Sequence, residues 1–245
     1  MDRRTVATSL AAAALAGAAG GVATARADSK APTGGRPSFV DTDDGASLFY
    51  LDWGTGKPVL FTHAWALNAD IWEYQLTELA DQGMRCIAYD RRGHGRSNDP
   101  GRGYDYDRLA DDLAAVIDRL DLHDVTLVGF SMGNGEAVRY LSRHGSSRIA
   151  RLVMVSTIPP QSGGNFGAFV AALKQDRPTF FAKGVTAFTS GHPAVSPAMT
   201  DWVVAQFMRS SPKGIIEFSH TATNQRGEVV AECKRQALMR KRPKG

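Results

Sequence analysis

Residues 129–133 read Gly-Phe-Ser-Met-Gly, and their setting leaves the chain few ways to fold. The run Val125, Thr126, Leu127, Val128 precedes them directly, and a helical pattern from Glu136 to Arg143 follows. A strand that turns at once into a helix around a serine holds that serine in a strained backbone conformation. The flanking positions then have no room for a Cβ, which is why glycine stands on both sides. Such a bend lifts the Ser131 hydroxyl above the end of a sheet and aims the Met132 backbone N–H at a substrate oxygen. Strand, glycines and helix are independent requirements and all are met, so the pattern predicts a nucleophile elbow and not a surface turn.

Around the elbow, short apolar runs recur with helical stretches between them: Ser47–Trp53, Pro58–Thr62, Arg85–Tyr89, Asp124–Val128 and Arg151–Ser156. That rhythm predicts a mostly parallel sheet. The first two runs are expected to pair as an antiparallel hairpin, because Gly54, Thr55 and Gly56 fit a short turn. A helix over Tyr106–Leu120 places Leu109, Leu113, Val116, Ile117 and Leu120 on one face and Asp111, Asp112 and Asp118 opposite. Another starts near Asp70 with Ile71, Trp72, Leu76 and Leu79. After Pro159 and Pro160 the text turns wholly helical, over Phe166–Leu173, Arg177–Thr189 and Pro197–Met208, which reads as a lid over the strand ends. Its aromatic residues are expected mostly to pack against the core, with Phe166 a candidate wall of a substrate pocket.

The N-terminal residues carry paired arginines, Arg3 and Arg4, then an alanine-rich stretch to Ala23 and the small-x-small triplet Ala25, Arg26, Ala27. This pattern predicts a twin-arginine export signal over 1–27 and a periplasmic or secreted protein with no stable membrane span once the signal is removed. The expected organisation is a core over 28–160, a helical lid over 161–222 and a divergent basic tail over 223–245. Arg3, Arg4 and Arg26 against Asp2, with six Lys/Arg against Glu228 and Glu232 in 228–245, exceed the whole formal charge of +4. The stretch between is mildly acidic and carries no nucleic-acid footprint. Cys86, inside an apolar run, reads as a buried inert thiol, and Cys233 has no metal-type spacing to it.

Acyl transfer needs two backbone donors for the oxyanion, one just after the serine and one from the loop that ends an earlier strand. That loop is His63, Ala64, Trp65, so the Trp65 N–H joins the Met132 N–H as a candidate donor, and the Trp65 ring can wall the acyl pocket.

The segments FTHAWALNADIWEYQ (61–75), YDRRGHGRSNDPGRGYDYDRLADDL (89–113) and DVTLVGFSMGNGEAVRYLSRHG (124–145) resemble the α/β hydrolase superfamily. Within it they are most similar to the bacterial arylesterase and cofactor-free haloperoxidase branch. The resemblance spans about residues 38–230. It implies an α/β fold with a mostly parallel central sheet, helices on both faces and a helical lid. It further implies Ser131 as nucleophile, Trp65 and Met132 as oxyanion donors, and small aryl or alkyl carboxylic esters as substrates. Perhydrolase or haloperoxidase side chemistry would run through a peracid at the same serine; no cofactor and no metal are implied, and a homo-oligomer stays open. Asp90, Gly93, His94 and Gly95 match a turn that shapes the base of the pocket, with His94 structural. Ala64 stands where the family usually has glycine, and Ala66 where many haloperoxidase-like members have proline.

A serine hydroxyl also needs a histidine to take its proton and a carboxylate to hold that histidine, in chain order Ser, acid, His. The family places both after the lid. Here the text from Glu232 reads ECKRQALMRKRPKG, with neither a strand run nor an acid turn, and none of the six histidines falls at the family's position. The expectation is therefore a chain without the last strands of the sheet, with Arg151–Ser156 left as an apolar edge. Two functions remain: a serine esterase, or an impaired relative that binds small ligands without the triad Asp and His. Epoxide hydrolase and dehalogenase chemistry needs aspartate at the elbow and is excluded by Ser131.

Overall fold

Side chains of the central strands alternate between two faces that are both apolar, so a sheet built from them must be covered on both sides. In β3 (Pro58–Thr62) Val59 and Phe61 oppose Leu60; in β4 (Arg85–Tyr89) Cys86 and Ala88 oppose Ile87 and Tyr89. In β5 (Val125–Phe130) Val125 and Leu127 oppose Val128. The protein, described as a computed structural model over residues 38–156, 166–189 and 195–216, covers them accordingly. Helices α2 (Tyr106–Arg119) and α3 (Met132–His144) bury Leu113, Val116, Ile117, Ala137 and Tyr140 against Leu60, Ile87 and Leu127. A 3-10 turn, Ala69–Trp72, leads into α1 (Glu73–Asp81) and sets Trp72 and Leu76 against Phe61 and Ala88. Each fully buried large apolar side chain contributes roughly 1.5–3 kcal/mol. Burial of Cys86 pushes its thiol up and keeps it unreactive.

Six strands run in the order β1-β2-β4-β3-β5-β6. β3, β4, β5 and β6 (Ile149–Val155) are parallel, while β1 (Phe39–Asp41) and β2 (Ser47–Trp53) add an antiparallel edge. The hairpin expected between β2 and β3 does not form. β2 pairs with β4, Tyr50 opposite Tyr89 and Trp53 opposite Cys86, and β3 lies inside, between β4 and β5. The glycines of the connecting turn serve a close crossing: a Cβ on Gly54 or Gly56 would collide with the Met84 or Gly83 carbonyl at the start of β4. The hairpin that does form is β1–β2, closed by Thr42, whose N–H donates to the Ala46 carbonyl at 2.8 Å.

Asp112 departs from the solvent face assigned to it on α2. It is fully buried, its carboxylate paired with Arg92. β6 is an edge strand among the described residues, with Val153 and Val155 43% and 37% exposed.

Three helices follow, α4 (Phe166–Gln175), α5 (Arg177–Thr189) and α6 (Pro197–Met208), and residues 212–216 are helical again. They are pinned to the strand ends by backbone bonds, Gly95 N–H to the Arg209 carbonyl at 3.1 Å and Ser211 N–H to the Gly93 carbonyl at 2.6 Å. The Arg209–Asp70 ion pair at 3.1 Å adds a side-chain tie. Among the described residues no helix is long and apolar enough to cross a membrane. The export signal over 1–27, the tail over 223–245 and much of the 161–222 boundary lie outside the described residues.

Candidate active site

Ser131 sits between β5 and α3 with φ 50° and ψ −112°, a left-handed conformation that costs a non-glycine residue of order 1–3 kcal/mol. The surroundings enforce it. The Ser131 N–H donates to the Val155 carbonyl at 3.0 Å, and the Asn134 side-chain amide donates to that same carbonyl at 2.9 Å. The neighbouring glycines are sterically required. A Cβ on Gly129 would lie 2.6 Å from Asn134 Oδ1 and 2.9 Å from Asn134 backbone atoms; one on Gly133 would lie 2.7 Å from the Thr62 carbonyl oxygen. Helix α3 begins at Met132, four residues before the Glu136 start expected from the sequence, so the Met132 N–H belongs to a first helical turn and has no intrahelical acceptor.

Trp65 and Met132 both line a cavity of about 10 Å³, room for about one water, with His94, Tyr104, Leu109 and Ile215; Ser131 is not part of its lining. Among the described residues neither the Trp65 nor the Met132 N–H meets a protein acceptor. The Trp65 ring packs 5.2 Å from Phe169 and 5.8 Å from Phe181, and its Nε1 donates to the Ile215 carbonyl at 3.4 Å. Phe166 opens α4, but its side chain lies outside the described residues. Ala64 needs no left-handed backbone, so its methyl fits the loop, whereas Ala66 has φ 59°, a conformation closed to the proline of many relatives.

Beneath the loop lies a charged network that the sequence reading missed. Arg91 and Glu136 have side chains 1% and 0% exposed, with Arg91 Nε donating to Glu136 Oε2 at 2.6 Å. Burial pushes the Glu136 carboxyl well up and lowers Arg91 to about 9, with Tyr106 and Asp112 opposing the Arg91 shift, so that Arg91 stays charged at neutral pH. A glutamate on the inward face of an elbow helix and two arginines directly after an apolar strand were the available signals. Among the described residues no group of three His, Cys, Asp or Glu side chains is gathered to hold a metal ion.

His94 serves the turn rather than the serine in its visible contacts: its Nδ1 bonds the Arg92 carbonyl at 2.9 Å, and among the described residues its buried Nε2 has no partner. Asp90, fully buried, accepts the Ala69 and Arg96 N–H groups at 2.7 Å each and so fixes the same turn. Burial, with the Arg91 charge beside it, lowers His94 to about 4 and His63 well below 6.5. Between about pH 6.5 and 4 the unfolded chain therefore binds more protons than the folded one. Stability is complete above the unfolded value and falls as acid is added; His94 alone is expected to remove about 2 kcal/mol between pH 7 and 5, read as a lower urea midpoint.

Residues 57–200 match the family model of the alpha/beta hydrolase fold. The chain is 50% identical over 122 residues to a non-heme haloperoxidase of Rhodococcus erythropolis, an alignment covering 50% of this chain and 44% of that protein. Among solved structures it is similar to a bromoperoxidase from Bacillus anthracis, at 33% identity and TM-score 0.71, covering 77% of this chain and 74% of that one. An esterase from Exiguobacterium antarcticum aligns at 33% identity and TM-score 0.69, covering 75% and 72%. The chain spans about half the length of the curated relatives it matches. A match running unbroken from the start of β3 into α6 takes in every element that builds the elbow and its facing loop, and the chain belongs to the alpha/beta hydrolase superfamily.

Proposed function

We propose that this chain is a serine hydrolase of small aryl or alkyl carboxylic esters. The observation that carries the reading is the strained Ser131 backbone between two glycines that admit no Cβ, because a fold keeps such strain where a nucleophile must stand clear of its sheet. Ser131 Oγ attacks the ester carbonyl and gives up its proton, the Trp65 and Met132 N–H groups receive the oxyanion, and collapse breaks the ester C–O bond and expels the alcohol, which carries that proton away. Water then hydrolyses the acyl-serine. Hydrogen peroxide in place of water releases a peracid, which is the route to haloperoxidase side chemistry. Helices α4–α6 act as the lid, with Trp65 and Phe166 as substrate-binding residues, and the 1–27 segment directs export to the periplasm or beyond.

A second reading, a small-ligand binder with impaired chemistry, is favoured by one fact: among the described residues no imidazole hydrogen-bonds the Ser131 hydroxyl. Hydrolysis of 4-nitrophenyl acetate by this chain and by Ser131→Ala separates the two. The esterase reading expects at least a tenfold deficit in the variant; without a base, only the ~10³- to 10⁴-fold acceleration over water from binding and oxyanion donors remains. Equal turnover by the two proteins leaves the binder.

A further inference from the structure

We infer that Arg91 and His63 are positioning residues for the oxyanion loop, acting through its carbonyls to aim the Trp65 N–H; the inference builds on the esterase reading. A trans peptide unit points its C=O and N–H in opposite directions, so whatever grips the Ala64 carbonyl also sets the direction of the Trp65 N–H. No cis peptide bond occurs among the described residues.

The Ala64 carbonyl is gripped from below. The backbone N–H of Arg91 donates to His63 Nε2 at 3.0 Å, and because an amide can only donate, Nε2 is the acceptor and the ring proton sits on Nδ1. That Nδ1–H donates to the Ala64 carbonyl at 2.8 Å. The Arg91 guanidinium takes the carbonyl of the preceding residue, Nη2 donating to His63 O at 2.5 Å, while Nη1 stands 3.5 Å from Ala64 O and 3.0 Å from His63 Nδ1, two donors side by side with the Ala64 carbonyl as their shared acceptor. The guanidinium is itself seated on Glu136, one turn into α3. One buried fork thus links the helix that carries the Met132 donor to the loop that carries the Trp65 donor, and fixes the distance between the two. Ala66 at φ 59° and the Leu67 N–H bond to Ala64 O at 3.3 Å close the loop on its far side.

A purely structural role and a positioning role diverge in the double variant Arg91→Met/Glu136→Leu. Replacing a buried ion pair by apolar groups of similar volume is often neutral for stability, yet it removes the fork that holds the loop. Hydrogen exchange followed by mass spectrometry, on peptides over 61–72 with 125–130 as reference, reads the loop directly. The double variant, and separately His63→Phe, are expected to exchange about tenfold faster in 61–72 and at an unchanged rate in 125–130. Their kcat on 4-nitrophenyl acetate is expected to fall about 100-fold with KM little changed, the signature of a donor lost in the transition state. Arg91→Lys keeps the charge without the fork and is expected to give no rescue. Unchanged exchange in 61–72 for the double variant and His63→Phe, or full rescue by lysine, overturns the inference. Parent turnover equal to that of Ser131→Ala overturns the esterase reading instead, and the exchange data still decide the positioning.

Discussion

An Arg92→Met chain is expected to lose about 3–5 kcal/mol of folding stability, because the substitution strands a carboxylate inside the core. Arg92 and Asp112 both have side chains 0% exposed, joined by two bonds of 2.6 Å from Nε and Nη2. The same guanidinium reaches Asp44 at 2.8 and 3.0 Å, tying α2 to the β1–β2 turn. Burial raises the Asp112 carboxyl even beside its partner, and for Arg92 the hydrogen bonds it donates to Asp112 and Asp44 outweigh burial and raise it. Removing the cation leaves the buried Asp112 carboxylate with the more distant Arg108, 3.4 Å away, as its cationic partner among the described residues, which does not replace the two short bonds. Against a typical total of roughly 5–15 kcal/mol the loss is a large fraction, visible as a lower urea midpoint at constant slope. Arg92→Met combined with Asp112→Leu is expected to recover most of it; no recovery would assign the effect to the bonds that Arg92 donates to Asp44 and, at 3.3 Å, to the Arg102 carbonyl.

Gly133→Ala is expected to cut esterase turnover about 100-fold and to cost about 1–3 kcal/mol of stability. Its methyl would meet Thr62 Oγ1, the Thr62 carbonyl oxygen at 2.7 Å and the His63 carbonyl oxygen at 3.0 Å. Two of those three are backbone atoms of β3 and the oxyanion loop and cannot swing aside. The start of α3 must retreat instead, taking Ser131 and the Met132 N–H away from Trp65 by a large fraction of an ångström. Gly184→Ala is the matched control. Nothing lies within 4 Å of a Cβ there, in the middle of α5, so about 0.5–1 kcal/mol of added stability and unaltered turnover are expected. Steady-state kinetics and thermal unfolding on the two variants check both halves; equal kinetics would remove the steric account of the elbow.

The elbow was legible in the amino-acid sequence because its demands are local: two glycines, a serine, a strand before and a helix after. The His63–Trp65 loop was legible for the same reason, as the segment that ends an apolar run. Strand pairing was not, since Ser47–Trp53 and Pro58–Thr62 are neighbours in the chain and a glycine turn fits a hairpin as readily as it fits a crossing over β4. Asp112 was read as solvent-facing because its charge outweighed its position; what buries it is Arg92, twenty residues away, which no periodicity within α2 can reveal. Arg91 and Glu136 escaped notice likewise, each an ordinary polar letter until tertiary folding sets them 2.6 Å apart.

The placement of β3 between β4 and β5 also sets a schedule for folding. On a ribosome the β1–β2 ribbon can zip as soon as it emerges, but β3 then has no partner until β4 arrives, and its second ladder waits for Gly129 to clear the tunnel. Every ladder of the parallel sheet closes a loop of more than twenty residues, so the barrier is set by chain search and not by hairpin formation. Refolding is accordingly expected to be slow, on the order of milliseconds to seconds, for reasons that no single side chain can shorten.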